Sequence, residues 1–363
     1  MSLDNRRLYV FQQSSSVHSI NCDDVEFPGK HRITTKNGGT SIEIRRNFSS
    51  EKRSCEFPSN TTKDGCWLFT KSPANSWLLW YATEYGEYCS GCIFPSDAKM
   101  VRDGIGGVWV LCQTKGVELW GLWHVDGLGE ERYYEYPSNS MLVSEGTGGV
   151  WICCPTTTQG ESNWKLWHVT KTDEVMRFEY PYNSKFATDG KGGVWALAST
   201  DGVWKLWHAS SRGEYMYYNY PEESKMVGDG QGGVWILCLN TDNKRRLWHA
   251  TKKREVDMYE YPEDVTMVTD GCGGVFALCS TDGASIFRLW SANLQVERNL
   301  YEYPQGSKMA PDGKGGVWML ASTANETDGW CLWHASRHRE RNLKYKYPEY
   351  TELVGDVHVN QVE

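Results

Sequence analysis

A chain of 363 residues with 40% hydrophobic content has the composition of a folded globular protein, and its length alone would suggest two or three domains. A net charge of −8 with no basic stripe along the sequence argues against nucleic-acid binding. The absence of any run of 18 apolar residues argues against membrane insertion.

The start, Met1-Ser2-Leu3-Asp4-Asn5-Arg6-Arg7, is charged and does not read as a signal peptide, so the expected location is cytoplasmic. Next, Leu8-Tyr9-Val10 and Val25-Glu26-Phe27-Pro28 read as two isolated strands. Residues 29–58 follow the order of the later units in shortened form, with His31-Arg32-Ile33-Thr34, Gly38-Gly39, Ser41-Ile42-Glu43-Ile44 and Cys55-Glu56-Phe57-Pro58. From residue 59 to 348 the chain is periodic. Asp-Gly-x-Gly-Gly-Val-Trp stands at Asp189–Trp195 and recurs at Asp103–Trp109, Glu145–Trp151, Asp229–Trp235, Asp270–Phe276 and Asp312–Trp318, with a worn copy ending at Trp67. The closing aromatic recurs every 40 to 44 residues, the mark of a repeat array.

Each unit has further fixed points. Leu-Trp-His follows the glycines, as at Leu166-Trp167-His168 and Leu206-Trp207-His208. Tyr-x-Tyr-Pro comes next, as at Tyr134–Pro137 and Tyr301–Pro304, and then Ser-Lys-Met, as at Ser224–Met226 and Ser307–Met309. Short β-branched and aromatic runs divided by turn residues make four strands per unit, A (Ser-Lys-Met-Val), B (Val-Trp-x-Leu), C (Lys-Leu-Trp-His) and D (Tyr-x-Tyr). The glycines suit a tight A–B hairpin, and the proline after D cannot continue a ladder. No window has a period of 3.6, so almost no helix is expected.

Four-stranded units of this length match the blades of a β-propeller. The last residues, from Glu352 to Val362, read as an A strand followed by a B strand. With the C and D strands of residues 1–28 they would form one closing blade, leaving no sheet edge open. The expected fold is therefore all-β: one closed propeller over residues 1–363. Residues 1–28 and 349–363 share a blade, 29–58 form a short one, and 59–348 form seven fuller ones. Nine blades are favoured, and eight follow if the short unit fuses with a neighbour.

With A innermost, the D–A and B–C loops share one face, and the A–B and C–D turns share the other. Eighteen Trp are many for this length, and most occupy the B and C slots, where they would pack between blades. Five others, Trp77, Trp120, Trp164, Trp204 and Trp330, stand at the start of strand C beside the Tyr-Pro loops. Phe287 and Arg245 take their place in two units. Lys99, Lys185, Lys225 and Lys308 share one slot of strand A. Trp platforms with nearby Lys and Ser suit stacking against the apolar faces of sugars, and repetition would add avidity. Lysines facing the channel would instead draw an anion or an acidic peptide. These nine residues form the candidate ligand site, for a glycan or glycoprotein first and a protein partner second.

The repeated His reads as an intra-blade hydrogen-bonding residue, and the turn Asp needs no calcium to explain it. Cys112, Cys153, Cys154, Cys238 and Cys279 sit in or beside a B-strand position where other units have Ala198 and Ala321, so they read as small core residues. Cys89 and Cys92 lack a second ligand pair. No catalytic residue, metal or cofactor is expected.

The order Tyr-x-Tyr-Pro, Ser-x-x, Asp-Gly-x-Gly-x-Val-Trp over residues 58–348 resembles streptogramin lyase and the related two-component-sensor-type propeller repeats. The density of Trp resembles, more loosely, tectonin-type lectin propellers. The lyase resemblance implies catalytic His and Glu in or beside the A strands. Here those slots read Ala98-Lys99-Met100, Ser184-Lys185-Phe186 and Ser307-Lys308-Met309, and only the short unit offers His31. A non-catalytic recognition or scaffold propeller is the expectation, and a lyase-like enzyme is the alternative.

Overall fold

The structure is a computed structural model that describes residues 32–34, 43–45, 65–71, 76–114, 119–155, 163–239, 244–280, 286–322, 329–355 and 357–358, none of them helical. These residues form seven antiparallel propeller blades of four strands each, one of them extended by a fifth strand. Blade 2 runs through strands A to D at Lys99–Arg102, Val108–Gln113, Trp120–Asp126 and Gly129–Tyr136. Blade 3 has Met141–Ser144, Val150–Pro155, Asn163–Val169 and Glu174–Pro181. Blade 4 has Lys185–Thr188, Val194–Thr200, Val203–Ser210 and Gly213–Asn219. Blade 5 has Lys225–Gly228, Val234–Leu239, Arg245–Ala250 and Glu255–Tyr261. Blade 6 has Thr266–Thr269, Val275–Ser280, Ile286–Ala292 and Glu297–Pro304. Blade 7 has Lys308–Pro311, Gly316–Ser322, Trp330–Ser336 and Glu340–Tyr347.

Blade 1 takes strands B, C and D from Cys66–Lys71, Ser76–Ala82 and Glu87–Pro95. Its strand A is Glu352–Leu353, from the far end of the chain, with Leu68 opposite Leu353 and Phe69 opposite Glu352. This pairing corrects the blade count: the ring has seven blades, not nine or eight. The tail does supply an A strand, but to the first full unit. No space is left for further blades, because blade 7 packs directly on blade 1. Trp318, Leu320 and Leu332 share one core cluster with Cys66, Leu68 and Ala82, and Tyr347 donates to Glu87 at 2.7 Å.

The segment expected as a closing B strand is also corrected. Val357–His358 pairs with strand A of blade 3, with His358 opposite Leu142 and Val357 opposite Val143. The tail therefore lies inside the ring of A strands. Of the short unit, Arg32–Thr34 and Glu43–Arg45 form a separate two-stranded sheet. The strands expected within residues 1–28 lie outside the described residues.

Strand B alternates with period two, yet both its faces are buried, because each sheet is covered by a neighbour on either side. In blade 4, Val194, Ala196 and Ala198 face blade 3 and pack with Val143, Trp151 and Cys153. Trp195 and Leu197 face blade 5 and pack with Val234, Ile236 and Cys238. The slot shared by Cys and Ala is thus the small side of each wedge, and Cys112, Cys153, Cys154, Cys238 and Cys279 are all buried. Trp67, Trp109, Trp151, Trp195, Trp235 and Trp318 fill the large side and are fully buried. Each contributes about 4–6 kcal/mol of hydrophobic burial before ordering entropy is subtracted.

Polar contacts tie the blades at three radii. Innermost, the A–B turns touch: Gly232 N donates to Asp189 O at 2.9 Å and Gly273 N to Asp229 O at 2.8 Å. Gly190 has φ +70°, and a Cβ there would lie 2.6 Å from Gly230 Cα, so both the turn and the close approach require glycine. At mid-radius the strand-A lysines reach the next blade, as described below. Outermost, the second Tyr of Tyr-x-Tyr donates to a glutamate opening strand D of the next blade. Tyr136–Glu174 (2.6 Å), Tyr220–Glu255 (2.7 Å) and Tyr303–Glu340 (2.5 Å) are examples.

Candidate functional site

The glycine turns position an Asp whose carboxylate organises each blade. In blade 4, Asp189 Oδ1 accepts from the backbone N–H of Lys191 and of Gly193, each at 2.7 Å, and Oδ2 pairs with His208 Nε2 at 2.8 Å. His208 in turn lies against the Trp195 ring, centroids 4.8 Å apart. Glu145–His168, Asp229–His249, Asp103–His124 and Asp312–His334 repeat the arrangement. Burial alone would push the Asp189 carboxyl up, but the His208 bond and the two amides outweigh it and hold the pKa below the ordinary carboxylate range. The recurring His is thus a structural hydrogen-bonding residue, as the repetition implied. Blade 6 has Ser291 in place of His, and Arg337 of blade 7 crosses over to fill the gap. Its Nε donates to Ser291 Oγ at 2.7 Å, and Nη2 meets Asp270 Oδ2 at 3.2 Å. That substitute is weaker, and burial leaves the Asp270 carboxyl raised.

The opposite face holds the nine candidate residues. The lysines do not stand free around the bore. Lys99 Nζ donates to the carbonyls of Ser138 (2.7 Å) and Ser140 (2.9 Å) in the D–A loop of the next blade. Lys185 reaches the carbonyls of Glu222 and Ser224, and Lys225 those of Glu263 (3.5 Å) and Val265 (3.1 Å). Lys308 reaches Thr351 O (2.9 Å) and the Glu352 carboxylate (2.6 Å). Burial lowers the Lys99 pKa to about 8, partly opposed by Asp97, and lowers those of Lys185 and Lys225 as well.

Three of the tryptophans stand directly beside these ammonium groups. Lys99 lies 5.6 Å from the Trp120 ring centroid, Lys185 5.7 Å from Trp204 and Lys308 5.9 Å from Trp330. Cation–π attraction thus sets lysine and tryptophan together at these three junctions. Trp120 and Trp164 are only 8% and 7% exposed, and Trp164 stacks on Tyr182 at 5.7 Å. Trp77, Trp204 and Trp330 keep part of their surface open.

Two of the open three come together. Trp77 of blade 1 and Trp330 of blade 7 line one groove of about 550 Å³ with Lys308, Lys71, Glu349 and Tyr350. Tyr350 is 63% exposed, and Lys71 Nζ lies 5.9 Å from its ring centroid. Trp77 is held by its indole N–H, which donates to Ser96 O at 2.5 Å. Flat aromatic walls with carboxylates and ammonium groups at the rim can stack on a ring and hydrogen-bond its hydroxyls. Sequence reasoning missed Lys71, Glu349 and Tyr350. They belong to the junction where blade 7 meets blade 1, and only there do Lys71 and Tyr350 face each other across the groove.

No protein-family model matches the chain, and no curated protein matches it. Among solved structures it is similar to the propeller domain of the Trilobed protease from Pyrococcus furiosus, with 12% identity and a TM-score of 0.56 over 77% of this chain and 93% of that one. It is also similar to the acylaminoacyl peptidase of Pyrococcus horikoshii, with 10% identity and a TM-score of 0.56 over 80% of this chain and 54% of that one, about half its length. The tricorn protease matches with 9% identity and a TM-score of 0.50, over 86% of this chain and 37% of that one. At such identities the likeness defines the class, a β-propeller, and says nothing of these enzymes' chemistry. The narrower resemblance to streptogramin lyase or to tectonin-type lectins finds no support in them.

Proposed function

We propose that this chain is a non-catalytic recognition propeller, and that its B–C/D–A face binds glycan in the groove between blades 7 and 1. The observation that carries this reading is the convergence of Trp77, Trp330 and Tyr350 on one open groove, with Lys71, Lys308 and Glu349 beside them. Aromatic faces take the C–H face of a sugar, while the charged groups accept from and donate to its hydroxyls. The repeated His and Asp are engaged with each other and with the turn amides in five blades alike, which supports a structural role for them.

The test is a glycan array followed by titration of the hits with Trp fluorescence as readout. Trp330→Ala and Tyr350→Ala should each weaken binding at least about tenfold. Trp164→Phe, in a closed position, should leave it unchanged. Silence across the array, or hits that survive both groove substitutions, would refute the assignment.

A further inference from the structure

On the other face, between the C–D turns of blades 4 and 5, lies a groove of about 680 Å³. Its walls are Ser210-Ser211-Arg212 and Thr251-Lys252-Lys253, and Lys191 of the A–B turn stands on its floor. We propose that this groove docks an acidic polypeptide segment, an extended run of Asp and Glu side chains.

Charge accounting carries the proposal. Lys191, Arg212, Lys252 and Lys253 are exposed, and none has a carboxylate partner among the described residues. The groove also contains Glu145, Asp189 and Asp229, but these are turned inward. Each carboxylate accepts from backbone amides of its own turn and pairs with His168, His208 or His249. What a visitor meets is therefore positive, in a protein of net charge −8. Elsewhere on this face the turn cations are neutralised: Lys171 of blade 3 pairs with Asp126, and Arg337 and Arg339 of blade 7 pair with Asp270 and Glu84. The equivalent turn of blade 6, Asn293-Leu294-Gln295-Val296, is uncharged, while those of blades 1 and 2 carry Glu84 and Asp126. Cations left without counter-charges and gathered in a concave site attract and orient an anionic partner.

The lining favours a polypeptide over a nucleic acid. No Phe, Tyr or Trp is among the residues that line the groove, so it lacks the broad platforms on which successive bases stack. The negative net charge would repel a long polyanion running beyond the sector. A short carboxylate-rich segment fits within it, and the seryl and threonyl hydroxyls and turn carbonyls of the walls can meet its backbone.

The experiment is fluorescence anisotropy with a short labelled Asp/Glu peptide and its Asn/Gln counterpart, at low and near-physiological salt. Saturable binding of the acidic peptide alone is expected, weakening with salt. The double variant Lys252→Glu, Lys253→Glu should lose at least about tenfold in affinity. Lys344→Glu, exposed on strand D of blade 7 and outside both grooves, should not. The substituted side chains are exposed, so circular dichroism and melting temperature should match the parent.

Absence of saturable binding overturns the proposal, as does an equal loss in Lys344→Glu. Tighter binding of a DNA oligonucleotide of equal charge would overturn it in favour of nucleic acid. Salt-sensitive dimerisation abolished by the double variant, with no peptide binding, would overturn it in favour of a second copy. Because the groove lies on the face opposite Trp77 and Trp330, these results do not depend on the glycan reading.

Discussion

Replacing Asp189 by Ala tests whether the Asp–His pairs hold the blades together. Asp189 is 3% exposed and His208 1%. The substitution strands three donors: the N–H of Lys191, the N–H of Gly193 and His208 Nε2. A buried donor left without its partner costs about 1–3 kcal/mol. The Lys191 amide lies near the surface and can turn to water, so the sum is about 3–5 kcal/mol. Unfolding entropy near about 2.1 cal/mol/K per residue, over 363 residues, gives about 0.76 kcal/mol/K. The melting temperature should therefore fall by about 4–7 °C if the ring melts as one unit. Asp189→Asn keeps the acceptor for both amides and should recover about half of the loss. The dependence on pH has a definite sign. The folded pKa of Asp189 is depressed, so its contribution is complete above about pH 4 and disappears as pH falls through the folded value. The gap between parent and Asp189→Ala should close in acid. A melting temperature within a degree of the parent, or a gap that widens below pH 4, would refute this account of the blades.

Other perturbations probe the remaining contacts. Tyr303→Phe removes the bond to Glu340 and should cost about 1–2 kcal/mol by thermal melting, with no change in far-UV circular dichroism. Gly190→Ala places a methyl group against Gly230 at positive φ and should destabilise by more than the about 1–2 kcal/mol of backbone strain alone, read in urea titration. Thiol labelling of the native protein at mildly alkaline pH should modify the exposed Cys272. It should spare Cys112, whose pKa burial raises to about 12, and Cys238 and Cys279, raised to about 11, as mapped by mass spectrometry. Ending the chain before Glu352 should leave strand B of blade 1 an open edge, with loss of the cooperative transition and gain of aggregation in light scattering.

The turn and core were legible because each depends on chemistry local to the unit. Asp189, the glycines after it, Trp195 and His208 lie within some twenty residues of one another, and repetition exposes their spacing. The blade count was not legible in the same way. Strand A of blade 1 is two residues long and pairs with Leu68 and Phe69, nearly the whole chain away. The lysine slot was visible, but the lysines' direction was not. Lys99 finds its acceptors 39 and 41 residues later, in a blade whose position only the folded ring defines. The Tyr–Glu ties were within reach, since a glutamate stands first or second in strand D of every blade, as at Glu174, Glu214 and Glu255. The cationic groove was hidden for a geometric reason. Arg212 and Lys252 are 40 positions apart in the sequence and meet only across a blade junction.

The groove of Trp77 and Trp330 spans the place where the circle is fastened. Lys71 and Trp77 belong to the arc that begins the ring, while Glu349, Tyr350 and Glu352 belong to the strap that shuts it. A molecule gripping both sides works as a second buckle over a clasp of two residue pairs. Occupancy and resistance to opening are then linked in both directions. A ligand that shifts the hoop toward its shut state is held more tightly by a hoop already shut.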